Sequence, residues 1–336
     1  MLDFKGLENV LSKVESVGIT APAFGDGDSV GTQCALREIF LKKYSNLNEV
    51  RIINETPCPA RYTFLAQTSH FEVSKDLLKQ DPKTWPQVMI CVDGNYERIG
   101  ADTTQIWKAS KFKGQVDHHA MSGEPHHYDF RLYDPEAAAT TEIVYQLAKH
   151  WELSFTKDMA QAIYMGLIFD TGLFKHSNTK PETLRIGAEL LQAGFNHTET
   201  AEKGMLIRTP AAFVLFKHVI ASSQFEVDDR YVWSALDHAT FARSGADTDD
   251  KEGLIDQIFL TQKCEIAALY FEMQPQVWKV SFRARKHWDV AALARSLNPQ
   301  GGGHKKAAGC TLEGTQSQVL EKCHAKVREL LTLKSG

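Results

Sequence analysis

No apolar run in this chain of 336 residues approaches the ~18 needed to cross a bilayer. The opening MLDFKGLENV carries acids where a signal peptide needs a basic end and then an apolar stretch. The cytoplasm is therefore the expected location, and no membrane partner is expected. An excess of positive charge is also missing. Lys and Arg total 38 against 42 Asp and Glu, a net charge of −4, which is the wrong sign for coating long nucleic acid through bulk electrostatics. Paired cysteines are absent: Cys34, Cys58, Cys91, Cys264, Cys310 and Cys323 stand singly with no C-x-x-C. That argues against a disulfide framework and for reduced, mostly buried thiols. P-loop, H-E-x-x-H, G-x-S-x-G and dinucleotide G-x-G-x-x-G motifs are all lacking, so the usual competitors have none of their residues. Internal repeats and low-complexity segments are lacking too.

What is present is an ordinary globular composition, 43% hydrophobic and 24% charged, in a chain long enough for two domains. The first two hundred or so residues alternate helical patterns with short apolar runs, the mark of an α/β sheet with crossovers. Leu7, Val10, Leu11 and Val14 fall at helical spacing. A helix is expected from about Ser29 to Lys43, after the loop AFGDGDSVG. VRII (50–53) and VMICV (88–92) read as buried strands, and QV before Asp117 as a shorter one. Helices are expected at 136–151, 157–169 and 182–193. The stretch 196–222 reads as a helical linker. Beyond it, 223–336 carries the strands QFEV, YVWSAL, CEIAALYFE and VWKVSFRAR. The helices GLIDQIFL and DVAALARSL, a glycine-rich turn GGGHKKAAGC, a final strand and a helix near 315–333 complete a smaller mixed α+β domain.

Four clusters stand where open α/β sheets place ligands, at the carboxyl ends of strands. Asp26-Gly27-Asp28 opens a helix; two carboxylates two apart can face neighbouring cations, although Asp28 and Ser29 as helix caps would explain the pattern alone. Asp93 directly follows VMICV. Asp117-His118-His119 offers adjacent imidazoles, which suit a metal ligand beside a phosphate donor. Asp170 ends the apolar AIYMGLIF, where an uncompensated carboxylate would be costly. His126 and His127 read as an ordinary loop pair. The donors are hard or borderline and include no thiolate, which favours Mn²⁺ or Mg²⁺. Two such ions sharing a carboxylate would generate a hydroxide and neutralise phosphoryl oxygens.

The order D-x-D, strand-Asp, Asp-His-His, Asp-Thr-Gly resembles the DHH family of phosphoesterases. SFRAR (281–285), DVAALA (289–294) and GGGHKKAAG (301–309) resemble the DHHA1 domain of nanoRNase-type oligoribonucleases and pAp phosphatases, and EGLIDQI (252–258) and FDTGLFKHSNT (169–179) also look like that subgroup. The resemblance implies a catalytic DHH domain at 1–195 with a mainly parallel sheet, and a substrate-binding DHHA1 domain at 223–336. It implies two divalent cations, Mn²⁺ preferred or Mg²⁺, with Asp93 between them. Asp26 would serve one ion and Asp28, His118 and Asp170 the other, with His119 on the scissile phosphate. Arg283, Arg285, Gly301, Gly302, Gly303 and His304 would hold the substrate's terminal phosphate or base, since guanidinium forks and glycine amides suit anions. One position departs from the pattern. The family's first ligand is a histidine four residues before the D-x-D, and here that residue is Pro22.

The implied activity is hydrolysis of very short RNA to 5′-mononucleotides, above all linear dinucleotides such as pGpG, with pAp 3′-phosphatase action beside it. Cyclic dinucleotide hydrolysis is the alternative within the same chemistry. A degenerate nucleotide-binding sensor, suggested by Pro22, and a single-domain-type pyrophosphatase or polyphosphatase, which shares the metal motifs but not the GGGH region, are the others. The partner is then short RNA or a dinucleotide, not long nucleic acid. The apolar AAFVLFKHVI would serve either a homodimer interface or packing within the chain.

Overall fold

A computed structural model describes residues 2–23, 25–119, 128–247, 249–251 and 253–332. The chain divides into two compact units, Met1–Ile207 and Arg208–Gly336. The division falls inside the stretch read as a linker. The helix that follows Asn196 packs in the first unit, while the helix from Pro210 packs on the second unit's sheet.

The first unit is α/β. Its strands are β1 (Ser16–Thr20), β2 (Glu49–Asn54), β3 (Phe71–Val73), β4 (Val88–Val92), β5 (Phe112–Asp117) and β6 (Phe130–Tyr133). They form one sheet in the order β3-β2-β1-β4-β5-β6, parallel throughout. Its helices are α1 (Lys5–Leu11), α2 (Gly27–Lys43), α3 (Ser74–Leu77), α4 (Ala101–Ala109), α5 (Thr140–His150), α6 (Lys157–Asp170), α7 (Pro181–Leu191) and α8 (His197–Ala201). Both faces are covered, which is why VMICV is apolar at every position instead of alternating. One face packs Val17, Ile19, Ile90 and Val116 against Leu36, Ile143 and Ile163 of the helices. The other packs Ile53, Met89 and Cys91 against Ile106 and Trp107 of α4.

Three of these strands gave no sequence signal. In β1 a central Gly18 weakens the strand pattern, and β3 and β6 span only 3 and 4 residues. The helix expected over 136–151 begins only at Thr140, because the preceding Asp134–Ala139 segment makes a turn, with Ala137 N–H donating to Asp134 O at 3.1 Å.

The second unit is a mixed sheet, order β11-β12-β10-β9-β8-β7. Its strands are β7 (Gln224–Glu226), β8 (Tyr231–Leu236), β9 (Ile266–Gln274), β10 (Val277–Ala284), β11 (Gly302–His304) and β12 (Ala307–Glu313). Only β8 and β9 run parallel. Helices α9 (Pro210–Ala221), α10 (His238–Ser244) and α11 (Leu254–Phe259) lie on one face, and α12 (Val290–Leu297) and α13 (Gln316–Thr332) on the other. In α9, Ala212, Leu215 and Val219 are buried within the unit, and Phe213, Val214 and Ile220 stay exposed. The glycine run is not a turn. Gly302, Gly303 and His304 pair with Gly309, Ala308 and Ala307 as an edge strand, and the reversal falls on Lys305 and Lys306.

Five of the six cysteines are buried and Cys58 is half-buried. Among the described residues, no single helix is long and apolar enough to cross a membrane.

Candidate metal centre in the first unit

The strand order reverses between β1 and β4: from β1 the chain builds outward to β2 and β3, then returns to add β4, β5 and β6 on the other side. Carboxyl ends at such a switch point border a crevice. Asp26 and Asp28 follow β1, Asp93 follows β4, and Asp117 closes β5 with His118 and His119 next in the chain.

The helix termini complete the site. Asp26, not Asp28 or Ser29, is the cap of α2, its Oδ1 accepting the backbone N–H groups of Asp28 and Ser29, each at 3.0 Å. Asp28 lies in the first turn of α2, fully buried, and caps a different helix. Its Oδ2 accepts Thr140 N–H at 2.6 Å, and its Oδ1 accepts Thr141 N–H at 3.0 Å and the Thr141 hydroxyl at 2.9 Å. The positive end of α5 is thus aimed at Asp28. Asp93 sits in a left-handed conformation, φ +56°, and both its oxygens are tethered: Ser29 Oγ donates to Oδ2 at 2.6 Å and Thr140 Oγ1 to Oδ1 at 3.0 Å.

His118 bridges to Asp170. Its Nδ1 lies 3.1 Å from Ala137 O, which fixes that nitrogen as the donor, and its Nε2 lies 2.9 Å from Asp170 Oδ2 and 3.9 Å from Asp93 Oδ1. Asp170 ends α6, where the negative end of the dipole disfavours a carboxylate, so the imidazole supplies the compensation the sequence required. His119 is held differently. Asp117 Oδ1 accepts both its backbone N–H at 3.1 Å and its Nδ1–H at 2.9 Å.

Crowded, buried carboxylates set the electrostatics. Burial, followed by the charges of Asp93 and Asp170, pushes both Asp26 and Asp28 well above the ordinary carboxylate range. Burial would raise Asp93 too, but the charges of His119 and His118 and two hydroxyl hydrogen bonds bring it below that range. Burial works against protonation of His118, yet its hydrogen bond to Asp170 and the charges of Asp170, Asp28 and Asp93 push it up to about 11. For His119 burial is again the opposing effect, overcome by Asp117 and Asp93. Donor atoms of Asp28, Asp93 and His118 lie within 4.8 Å of one another. Oxygens with one imidazole, under mutual repulsion, fit a hard or borderline divalent cation.

Close backbone approach underlies this packing. A Cβ on Gly166 of α6 would lie 2.3 Å from Asp28 Oδ1 and 2.6 Å from Thr141 Oγ1. Gly166→Ala is therefore expected to cost about 1–3 kcal/mol of stability by overpacking. It should also weaken Mn²⁺ binding about tenfold or more, read by thermal unfolding and metal titration.

Of the residues expected to anchor substrate in the second unit, Arg285 has another task. Its guanidinium donates to the carbonyls of Thr261 (2.9 Å), Cys264 (2.8 Å) and Phe259 (2.6 Å) and lies over the Phe259 ring. It closes the segment after α11, which is a structural task. Arg283 pairs with Asp256 at 2.8 Å and is 29% exposed. Gly303 and His304 lie exposed on edge strand β11, and Gly301 and Gly302 are half-buried. Arg285→Ala should lower the second unit's unfolding transition by about 2 kcal/mol or more, through unpaired carbonyls. Arg283→Ala should instead raise KM with kcat little altered.

Residues 16–167 match the DHH family, N-terminal domain, and residues 229–332 match the DHHA1 domain. The chain carries a DHH domain and a DHHA1 domain. It is 32% identical over 218 residues to the bifunctional oligoribonuclease and PAP phosphatase NrnA of Thermus thermophilus, a match spanning 65% of this chain and 64% of that one. With the protein of the same name from Bacillus subtilis it shares 27% identity over 292 residues, 85% of this chain and 86% of the relative. Among solved structures, an exopolyphosphatase-related protein from Bacteroides fragilis superposes with TM-score 0.88 at 19% identity, covering 99% of this chain and 98% of that one. RecJ of Thermus thermophilus, solved in complex with Mn²⁺, gives TM-score 0.58 at 11% identity over 98% of this chain and 55% of its own. At these identities the structural matches show a shared fold alone.

The motif residues Asp26, Asp28, Asp93, His118, His119 and Asp170 all fall in this one region of the DHH unit. Ser29, Thr140, Thr141 and the orienting role of Asp117 escaped the sequence reading. A helix was expected at 136–151, but nothing in that stretch said that its start would aim at Asp28. His126 and His127 lie outside the described residues.

Proposed function

We propose that this DHH–DHHA1 protein is a metal-dependent hydrolase of very short oligoribonucleotides, above all linear dinucleotides such as pGpG, yielding 5′-mononucleotides, with pAp 3′-phosphatase action beside it. The observation that carries this reading is the convergence of Asp28, Asp93 and His118, with Asp170 facing the same His118 nitrogen. The names of the two relatives, oligoribonuclease and PAP phosphatase, point to the same substrates.

Asp28, Asp93, His118 and Asp170 would hold one divalent cation, Mn²⁺ in preference to Mg²⁺, and Asp26 with Asp93 a second. When bound, such ions supply a hydroxide nucleophile near neutral pH and neutralise developing phosphoryl charge. Ser29 and Thr140 fix the Asp93 carboxylate from both sides, so it needs no reorganisation when charge develops. Ala137 O holds His118 with Nδ1 as donor, which directs Nε2 to the site. Asp117 engages His119 Nδ1 and leaves Nε2 to donate to a phosphoryl oxygen. Arg283, Arg285 and His304, with the amides of Gly301, Gly302 and Gly303, are the candidate anchors for a terminal phosphate or base.

Turnover with Mn²⁺ on a linear dinucleotide, pAp, a cyclic dinucleotide and pyrophosphate tests the proposal. Fastest kcat/KM on the dinucleotide is expected, falling as RNA lengthens. Preference for the cyclic dinucleotide or pyrophosphate would replace the reading. Binding without turnover would favour the sensor.

A further inference from the structure

Donor atoms are distributed unevenly around Asp93. On one side Asp28, Asp93 and His118 bring their atoms within 4.8 Å of one another, and Asp170 reaches His118 Nε2 at 2.9 Å. On the Asp26 side little is offered. Asp26 Oδ1 already accepts two backbone N–H groups, and among the described residues Asp26 belongs to no group of three converging His, Cys, Asp or Glu donors. The Pro22 side chain has no donor atom, and its ring lies against the turn after Asp93, its Cγ 2.7 Å from where a Cβ on Gly94 would stand. A further trio, Asp93, Asp117 and His119, does converge. There, however, Asp117 Oδ1 already takes two N–H groups of His119, and Oδ2 takes the Gln115 amide at 3.3 Å. A cation at that trio would displace the proton of the His119–Asp117 pair, as one at the first site displaces that of His118–Asp170, but the trio offers two carboxylates and one imidazole where the first site offers three and one.

We propose that the protein by itself holds one divalent cation, on Asp28, Asp93, His118 and Asp170, and that the second enters only together with a phosphate-bearing nucleotide. This rests on the phosphodiesterase reading and makes it more specific. Small hard cations held by one or two carboxylates complete their shell with water and substrate phosphate oxygens, and the Asp26 side has that donor count. Linkage makes the dependence mutual: nucleotide tightens the second cation, and the second cation tightens nucleotide by the same factor.

Titration of the full chain with Mn²⁺, followed by calorimetry and electron paramagnetic resonance with and without AMP, tests this apart from activity. Without AMP, one Mn²⁺ per chain with the spectrum of an isolated ion is expected. Saturating AMP should bring a second, spin-coupled Mn²⁺, its affinity raised about tenfold or more. Two Mn²⁺ per chain without AMP, or one at saturating AMP, would overturn the proposal and leave the hydrolase reading standing. No Mn²⁺ binding at all would overturn both. Asp26→Asn should remove only the AMP-dependent equivalent. If Asp117→Asn removes it and Asp26→Asn does not, the second ion belongs to the Asp93, Asp117 and His119 trio and the proposal fails.

Discussion

Asp93→Asn is expected to lower kcat by about 10³-fold or more, some 4 kcal/mol of barrier at 1.36 kcal/mol per decade, with the unfolding transition moved by no more than a few degrees. Asn is the informative replacement. Asp93 sits at φ +56°, a region Asn tolerates and Ala does not, so Ala would mix backbone strain with the loss of a ligand. Asn also keeps an oxygen for Ser29 or Thr140 and relieves the repulsion that burdens Asp26 and Asp28. Steady-state kinetics alongside calorimetric unfolding separate the two effects. A variant keeping more than a tenth of the wild-type kcat would remove Asp93 from the centre of the site.

In chelator, the first unit should lose stability as pH rises, and Mn²⁺ should restore it. Asp26 and Asp28 bind protons more tightly folded than unfolded. Their folded state therefore takes up protons above the ordinary carboxylate range, and stability falls as pH climbs toward their raised values. His118 acts in the same direction. Its contribution is complete below the ordinary 6.5 and is lost as pH rises toward about 11. Asp93, held low, works the opposite way, but only in acid, below the ordinary 3.8. The melting temperature without metal should thus decline from about pH 5 to pH 9. A fixed Mn²⁺ concentration, a hundred times the dissociation constant at pH 8, adds about 2.7 kcal/mol there, which for a unit of this size is roughly 5–10 °C. The rise should be larger at pH 8 than at pH 5, because at low pH protons already occupy the positions a cation would take. Calorimetry across that range with EDTA or Mn²⁺ measures it, and a pH-independent Mn²⁺ shift would contradict the crowding described here.

Helices with a full apolar face were readable along the chain. The sequence segment 157–169 returns as Lys157–Asp170 and 182–193 as Pro181–Leu191, because each carries its own periodicity and boundary residues. Short strands were not: β1, β3 and β6 are strands through pairing with β2 and β4, with β2, and with β5, and a local pattern holds no information about a neighbour remote in sequence. GGGH misled for the same reason. Glycine-rich composition reads as a turn until Gly302–His304 finds Ala307–Gly309 as a partner.

The sequence by itself determined the chemistry of the site: hard oxygen donors and imidazoles at strand ends, with Pro22 where a donor was expected. Residue type and order carry that information, since a carboxylate after a buried strand needs a compensating charge wherever the chain goes. Only the tertiary structure decided which groups answer one another. Asp28 meets the N-terminus of α5 more than a hundred residues away, Asp170 meets His118, and Arg285 faces carbonyls of its own domain. Such pairings depend on the crossing of packed helices and the register of the sheet, which follow from the burial of whole apolar faces and not from any one segment.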